Sequence, residues 1–228
     1  MRFPLAILLS LFCMAAQAQL VGSVGAAVPL GAFGGTEVGT DDGFARTGVA
    51  AFIDLSVPLG VEGAPGLAFA STVGALVFRP NSAPYTPISA DPEARGVASV
   101  ESWVVVPVLL GAQYRWPVSR HLALAPSLQA GVSVFTVPSA TYEVTSPFSQ
   151  STVVTRPQPN VAPAWSAGAG LGVLLFERLE IGARALVLST PSIQYGAARL
   201  FPTEPAANIG ERAERPIAAA SVTVGYRF

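Results

Sequence analysis

LEIGARALVL, residues 179–188, places Leu179, Ile181, Ala183, Ala185 and Val187 on one side of an extended backbone, with Glu180, Gly182 and Arg184 on the other. Side chains along a strand point alternately to its two faces, so a period of two marks a strand whose faces differ. Here the apolar face carries the bulk, and the opposite face carries glycine and both signs of charge. A soluble barrel would enclose its bulky residues. A membrane barrel turns the small and ionised face inward and shows lipid the apolar one.

The same inversion recurs along the chain. Leu171, Val173 and Leu175 oppose Ser166, Gly168, Gly170 and Gly172. Leu122, Leu124, Leu128, Val132 and Val134 oppose Ser127, Gln129, Gly131 and Ser133. In an earlier segment Val49, Ile53, Leu55 and Val57 oppose Arg46, Asp54 and Ser56. The final stretch SVTVGYRF, 221–228, alternates Val222, Val224, Tyr226 and Phe228 with Ser221, Thr223, Gly225 and Arg227.

Proline and glycine divide the sequence into strands expected near 20–30, 46–58, 67–79, 100–115, 121–136, 163–176, 179–189 and 217–228. Three connections are short: LGVEGAPG, WPVSRH and a tight turn at Glu177-Arg178. Four are longer, near 31–45, 80–99, 137–162 and 190–216. Stretches such as RPNSAPYTPISADPEAR and RPQPNVAP lack donors at their prolines and are not expected to continue a ladder. Short turns alternating with long loops are the plan of an outer-membrane barrel, with the short turns periplasmic. The predicted fold is all-β, an eight-stranded antiparallel up-and-down transmembrane β-barrel with a small, polar interior.

Composition agrees. The chain is 51% hydrophobic and 12% charged, against about 25% charged in an ordinary soluble protein. Beyond the N-terminal region no apolar run reaches the roughly 18 residues of a spanning helix, whereas runs such as Trp103–Ala112 suit a spanning strand. A net charge of −1 without basic clusters excludes a nucleic-acid partner.

The opening MRFPLAILLSLFCMAAQAQ has a basic start, an apolar core and the small residues of a cleavage site at Ala16-Gln17-Ala18. Residues 1–18 are therefore expected to form a cleaved signal peptide and 19–228 the barrel domain, exported to the cell outer membrane. Bulky Phe12 before Cys13 argues against lipid modification there. No cysteine follows, so disulfide and thiolate chemistry are absent from residues 19–228.

Inward parity collects Asp54, Arg115, Glu180, Arg184 and Arg227. Charges inside a low-dielectric wall should pair. Strand adjacency suggests Glu180 with Arg227, and Arg184 with Asp54 across the lumen. The expected role is an ionic plug, with a proton or ion path as the alternative. Tyr114, Trp116, Tyr226 and Phe228 should face outward at the periplasmic rim and Trp165 at the opposite one, forming aromatic girdles.

Catalysis and ligand chemistry have little basis. His121 is the single histidine and sits beside the short turn WPVSRH, where a polar rim residue is expected rather than the base of a triad, which must be held beside its nucleophile. No catalytic residue, cofactor site or metal site is expected. Glu37, Asp41 and Asp42 lack the ligand spacing of a calcium loop, and Gly34-Gly35 belongs to no phosphate loop.

The stretch ESWVVVPVLLGAQYRWPVSRHLALAPSLQAGVSVF, residues 101–135, resembles the central hairpin of the outer membrane protein β-barrel domain families common in Bacteroidota, the porin-family or PorT-like small barrels. Pro107 matches the proline of their apolar-Pro-apolar strand. The resemblance implies that Tyr226 and Phe228 form the terminal signal read by the barrel-assembly machinery. It implies outer-membrane lipid as the surrounding partner, and a monomer is expected. The long loops suggest a structural or surface-interaction role and identify no ligand. A transport- or secretion-related barrel is the alternative, and a lipid-modifying enzyme a more distant one. Because a closed barrel has no edge to host proline, local bulges are expected at Pro107 and Pro126.

Overall fold

The computed structural model describes residues 18–35, 45–81, 95–146, 149–154, 158–175, 178–190 and 216–228. The expected signal peptide, apart from Ala18, lies outside these residues, as do Cys13, Glu37, Asp41, Asp42 and Glu177. Eight strands form the wall: β1 Gln19–Pro29, β2 Ala45–Pro58, β3 Leu67–Pro80, β4 Trp103–Tyr114, β5 Leu122–Val137, β6 Gln158–Leu175, β7 Leu179–Ser189 and β8 Ile217–Arg227. Each pairs antiparallel with its chain neighbours, and β1 with β8 closes the ring. The fold is a closed, eight-stranded, antiparallel up-and-down barrel.

Its geometry follows from the register. Stepping across directly opposed residues, Gln19 leads to Ser56, Ala70, Gly111, Gln129, Ser166, Leu188 and Ile217, and back to β1 at Pro29. One circuit therefore returns ten residues along the starting strand, from Gln19 to Pro29. With a rise of about 3.3 Å per residue and strands about 4.8 Å apart, that stagger tilts the strands by about 40°. Each residue then advances about 2.5 Å along the barrel axis. A barrel of this size is just wide enough for side chains to fill.

The outer wall is largely apolar. Val24, Val49, Ile53, Leu128 and Val222 are each 62–68% exposed, and Val73, Leu110 and Leu171 share that surface. From Tyr226 near one end to Val77 near the other, this band covers roughly 25 Å of axial height, the thickness a membrane barrel presents to lipid. Among the described residues no helix is long and apolar enough to cross a membrane.

The two ends differ as the loop lengths predict. Residues 59–66 form one short turn, with Gly60 at φ 61° and Gly63 at φ 82°, left-handed values that glycine adopts without a Cβ penalty. The long connections carry more structure than the sequence suggested. Arg95–Val100, Ala140–Ser146 and Ser149–Val154 form a three-stranded sheet that prolongs β4, β5 and β6 past the rim. Among the described residues between β1 and β2, Gly31–Phe33 forms a 3-10 turn.

Proline is handled differently from expectation. β6 begins at Gln158, so Pro159 and Pro163 lie inside a strand, opposite Thr136 and Val132 of β5. Both sit beyond Trp165, where described pairing with β7 begins, so their donorless nitrogens face no described strand. Trp165 consequently lies well inside β6 rather than at its start.

Pro107 and Pro126 are in register, without bulges. Beside Pro107 the β3–β4 ladder skips from Val73↔Val108 to Leu76↔Val105 and keeps its register. Beside Pro126 pairing with β5 stops at Gln113↔Ser127 and resumes at Trp116↔Leu124, again without a shift. Each proline costs hydrogen bonds on one side only, and the cross-strand partner on the other side holds the register.

The one register shift among the described pairs falls between Ala45 and Gly48, at the long-loop end of β2. It takes Arg46 off the inward face, where alternation had placed it, and leaves it exposed, donating to Asn81 Oδ1 at 2.8 Å.

Candidate functional site: a lumen layered by polarity

The lumen is where the inward side chains meet, and the stagger sorts them by depth. At the short-turn end Glu180 accepts from Arg115, just after β4, at 2.5 Å and from Arg227 of β8 at 3.0 Å. Arg115 also donates to Gln19 Oε1 at 3.2 Å. A second ion pair, Arg184 with Asp54 at 2.5 Å, joins β7 to β2 across the barrel, about 10 Å deeper on the stagger. The Arg184 guanidinium lies 5.7 Å from the Phe52 ring centroid, within cation–π range.

Just beyond comes a neutral polar layer. The Thr72 hydroxyl lies within reach of both Asp54 and Gln129 Oε1, the latter at 2.9 Å, and Ser166 reaches the same Gln129 oxygen at 3.5 Å. A cavity of about 60 Å³ between the ionic layers is lined by Gln19, Asp54, Gln113, Gln129, Glu180 and Arg184. That is room for a few waters and no larger solute.

The long-loop half is apolar. Phe33, carried inward by the 3-10 turn, packs edge to face against Phe78, Trp103 and Phe135 at centroid distances of 5.2, 5.4 and 6.4 Å. Leu76, Val105, Leu188 and Ile217 complete this fully buried stopper. The interior is therefore not small and polar throughout. Opposite it, an open vestibule at the short-turn end leads to Arg115 and Arg227.

All five sequence-predicted lumen charges come together: Glu180 with Arg115 and Arg227, and Asp54 with Arg184. Tyr114, Trp116, Tyr226 and Phe228 are exposed at the short-turn rim, where the Tyr226 and Phe228 rings pack edge to face at 5.4 Å. Trp165 is exposed on the long-loop half of the wall. Sequence reasoning missed Gln19, Thr72 and Gln129 as network members and overlooked the stopper. A signal was present. Phe52 shares parity with Asp54, Phe78 with Thr72, Phe135 with Gln129, and Leu188 with Arg184.

His121 lies exposed in the short turn between β4 and β5. The Ser119 hydroxyl there accepts the backbone N–H groups of Leu122 at 3.2 Å and His121 at 3.4 Å, a turn-forming use. Among the described residues no group of three His, Cys, Asp or Glu side chains is placed to hold a metal ion.

Neither a family model nor a curated protein matches the chain. Among solved structures it is similar to Neisserial surface protein A, at 11% identity and TM-score 0.45, over 92% of this chain and 97% of that one. It is also similar to Ail, the attachment invasion locus protein of Yersinia pestis, at 11% identity and TM-score 0.42, over 93% of this chain and 99% of that one. The N-terminal β-barrel domain of Pseudomonas aeruginosa OprF gives 12% identity and TM-score 0.37, over 93% and 98%. Likenesses this distant assign no function, and the barrel stands on its own strand pairing.

Proposed function

We propose that the protein is an integral outer-membrane barrel whose filled lumen makes it a rigid structural anchor, with surface interaction carried by its long-loop end. The observation that carries this reading is the inverted wall: large apolar side chains exposed around the outside, ion pairs and buried polar groups within. In water such a surface would be an aggregation liability, and in a bilayer it is the required one. Short turns at one end and long connections at the other support a periplasmic short-turn end. The three-stranded prolongation of β4, β5 and β6 supports a role at the cell surface, since it extends the wall outward as a platform. The aromatic stopper speaks against passage of solutes. Tyr226 and Phe228 fit an assembly signal, and the PorT-like resemblance of residues 101–135 fits the same architecture. The test is fractionation together with gel migration. The protein should sediment with outer membranes and migrate differently before and after boiling, whereas a periplasmic protein soluble without detergent would overturn the reading.

A further inference from the structure

The bulge on β2 places two arginines where the pairing register would allow a different arrangement. Ala45 opposes Pro80 and Gly48 opposes Phe78, so Arg46 and Thr47 together face the single residue Arg79 on β3. A bulge re-aims side chains in this way. Ala45 and Phe78 are buried inward, so the intervening positions Arg46, Thr47 and Arg79 are the outward ones, and all three are exposed.

Like charges directly opposed across a ladder repel. Arg46 donates to Asn81 Oδ1, and among the described residues neither arginine has a carboxylate partner. Together with Val28, Pro29, Gly34, Ala45 and Thr47 they line an open recess of about 560 Å³. Its height is informative. Arg79 is the next outward position after Val77, about 5 Å beyond the last outward apolar side chain of β3. That is headgroup level on the long-loop side, with exposed Val28, Val49 and Val77 just below it.

Two guanidinium groups above an apolar wall match an amphiphile with a phosphate at its head and acyl chains beneath, and guanidinium binds phosphate by paired hydrogen bonds. Resting on the outer-membrane reading, we propose that Arg46 and Arg79 clamp a phosphate of an outer-leaflet lipid. The lipid's acyl chains would run down the apolar wall beneath the row formed by Val28, Val49 and Val77, and its phosphate would neutralise the opposed arginines.

The test compares refolded wild-type barrel with Arg46→Gln/Arg79→Gln in nanodiscs, by native mass spectrometry and by the temperature of the heat-modifiable gel shift. The probes are diphosphoryl lipid A, the same glycolipid without phosphates, and inorganic phosphate. The wild type should retain diphosphoryl lipid A at least tenfold better than the double variant, and unfold at higher temperature when it is present. Equal retention by the variant would overturn the proposal, as would equal retention of the dephosphorylated lipid. Displacement by inorganic phosphate at matched concentration would overturn the lipid as the source. Failure of the wild type to enter bilayers at all would remove the outer-membrane reading as well, whereas entry without phosphate preference would remove this inference alone.

Discussion

The carboxylate of Glu180 lies across Gly172 of the adjoining strand, in the space a methyl group there would fill. Gly172 opposes Gly182, and Glu180 opposes Leu174, so the acidic side chain leans diagonally over bare backbone to reach Arg115 and Arg227. The missing side chain on β6 is thus part of the ion-pair site. Glu180→Ala should leave two guanidinium groups facing one another. Because they keep 24% and 31% side-chain exposure, the loss should be roughly 2–3 kcal/mol, below that of a wholly buried pair. Gly172→Ala should lower stability in the same direction by displacing the carboxylate. Urea unfolding in lipid checks both, and unchanged midpoints would mean that solvent already neutralises the arginines.

Pro126 offers a gain. Its nitrogen faces β4, where the ladder is interrupted between Gln113↔Ser127 and Trp116↔Leu124. The residue is exposed on the outer wall, so a replacement meets no packed neighbour inside. Pro126→Val should restore one backbone hydrogen bond in register and raise stability by roughly 0.5–1.5 kcal/mol. A lower unfolding midpoint would show that the proline's fixed φ matters more than the missing donor.

Orientation can be read with single cysteines, since Cys13 is the one cysteine in the sequence and precedes the barrel. Arg120→Cys lies in a short turn and Glu101→Cys just beyond β4 at the long-loop end, both exposed. A membrane-impermeant maleimide on intact cells should label position 101 and spare 120 until the outer membrane is opened. The reverse pattern would turn the barrel upside down.

The assembly role assigned to Phe228 predicts that its deletion, or Phe228→Asp, leaves the chain periplasmic and degraded. The Tyr226–Phe228 ring contact at 5.4 Å is lost in the deletion. Phe228→Leu should keep most of the outer-membrane level, separating an apolar requirement from an aromatic one. Normal levels of the aspartate variant, assayed by immunoblot of outer membranes, would remove the assignment.

Most of the wall was legible because alternation is a strong constraint: one slip of register would send every apolar side chain inward. Asp54, Glu180 and Arg184 were found on that basis, since a charge within an alternating run has only two faces to choose from. Three features escaped for physical reasons. Phe33 sits in a 3-10 turn, where period two says nothing of direction. Arg46 was misplaced because a bulge adds a residue without any mark in the sequence. Pro159 and Pro163 were read as breakers, although a proline is tolerated wherever its nitrogen faces no partner. Phe52 was within reach of the parity rule and was passed over because the charges beside it drew the reading toward a polar lumen.

The stopper decides whether the lumen conducts. Phe33 fills the space between Phe78, Trp103 and Phe135, and it comes from a turn rather than from the wall. Truncating it removes a plug without altering a strand. Phe33→Ala should cost roughly 3–5 kcal/mol if the cavity stays open, and less if the three rings collapse into it. Wild-type barrels in planar bilayers should be silent, because the aromatic layer and the ion-pair layers lie in series. Phe33→Ala alone should remain nearly silent, since Arg184–Asp54 and the Glu180 cluster still cross the lumen. Phe33→Ala with Asp54→Ala and Glu180→Ala removes both barriers and should give measurable current if the barrel still folds, as gel mobility would report. A steady current in the wild type would refute the filled-lumen reading and favour solute passage. Silence in the folded triple variant would show that the remaining side chains alone close the lumen, making the ion pairs a matter of stability and not of closure.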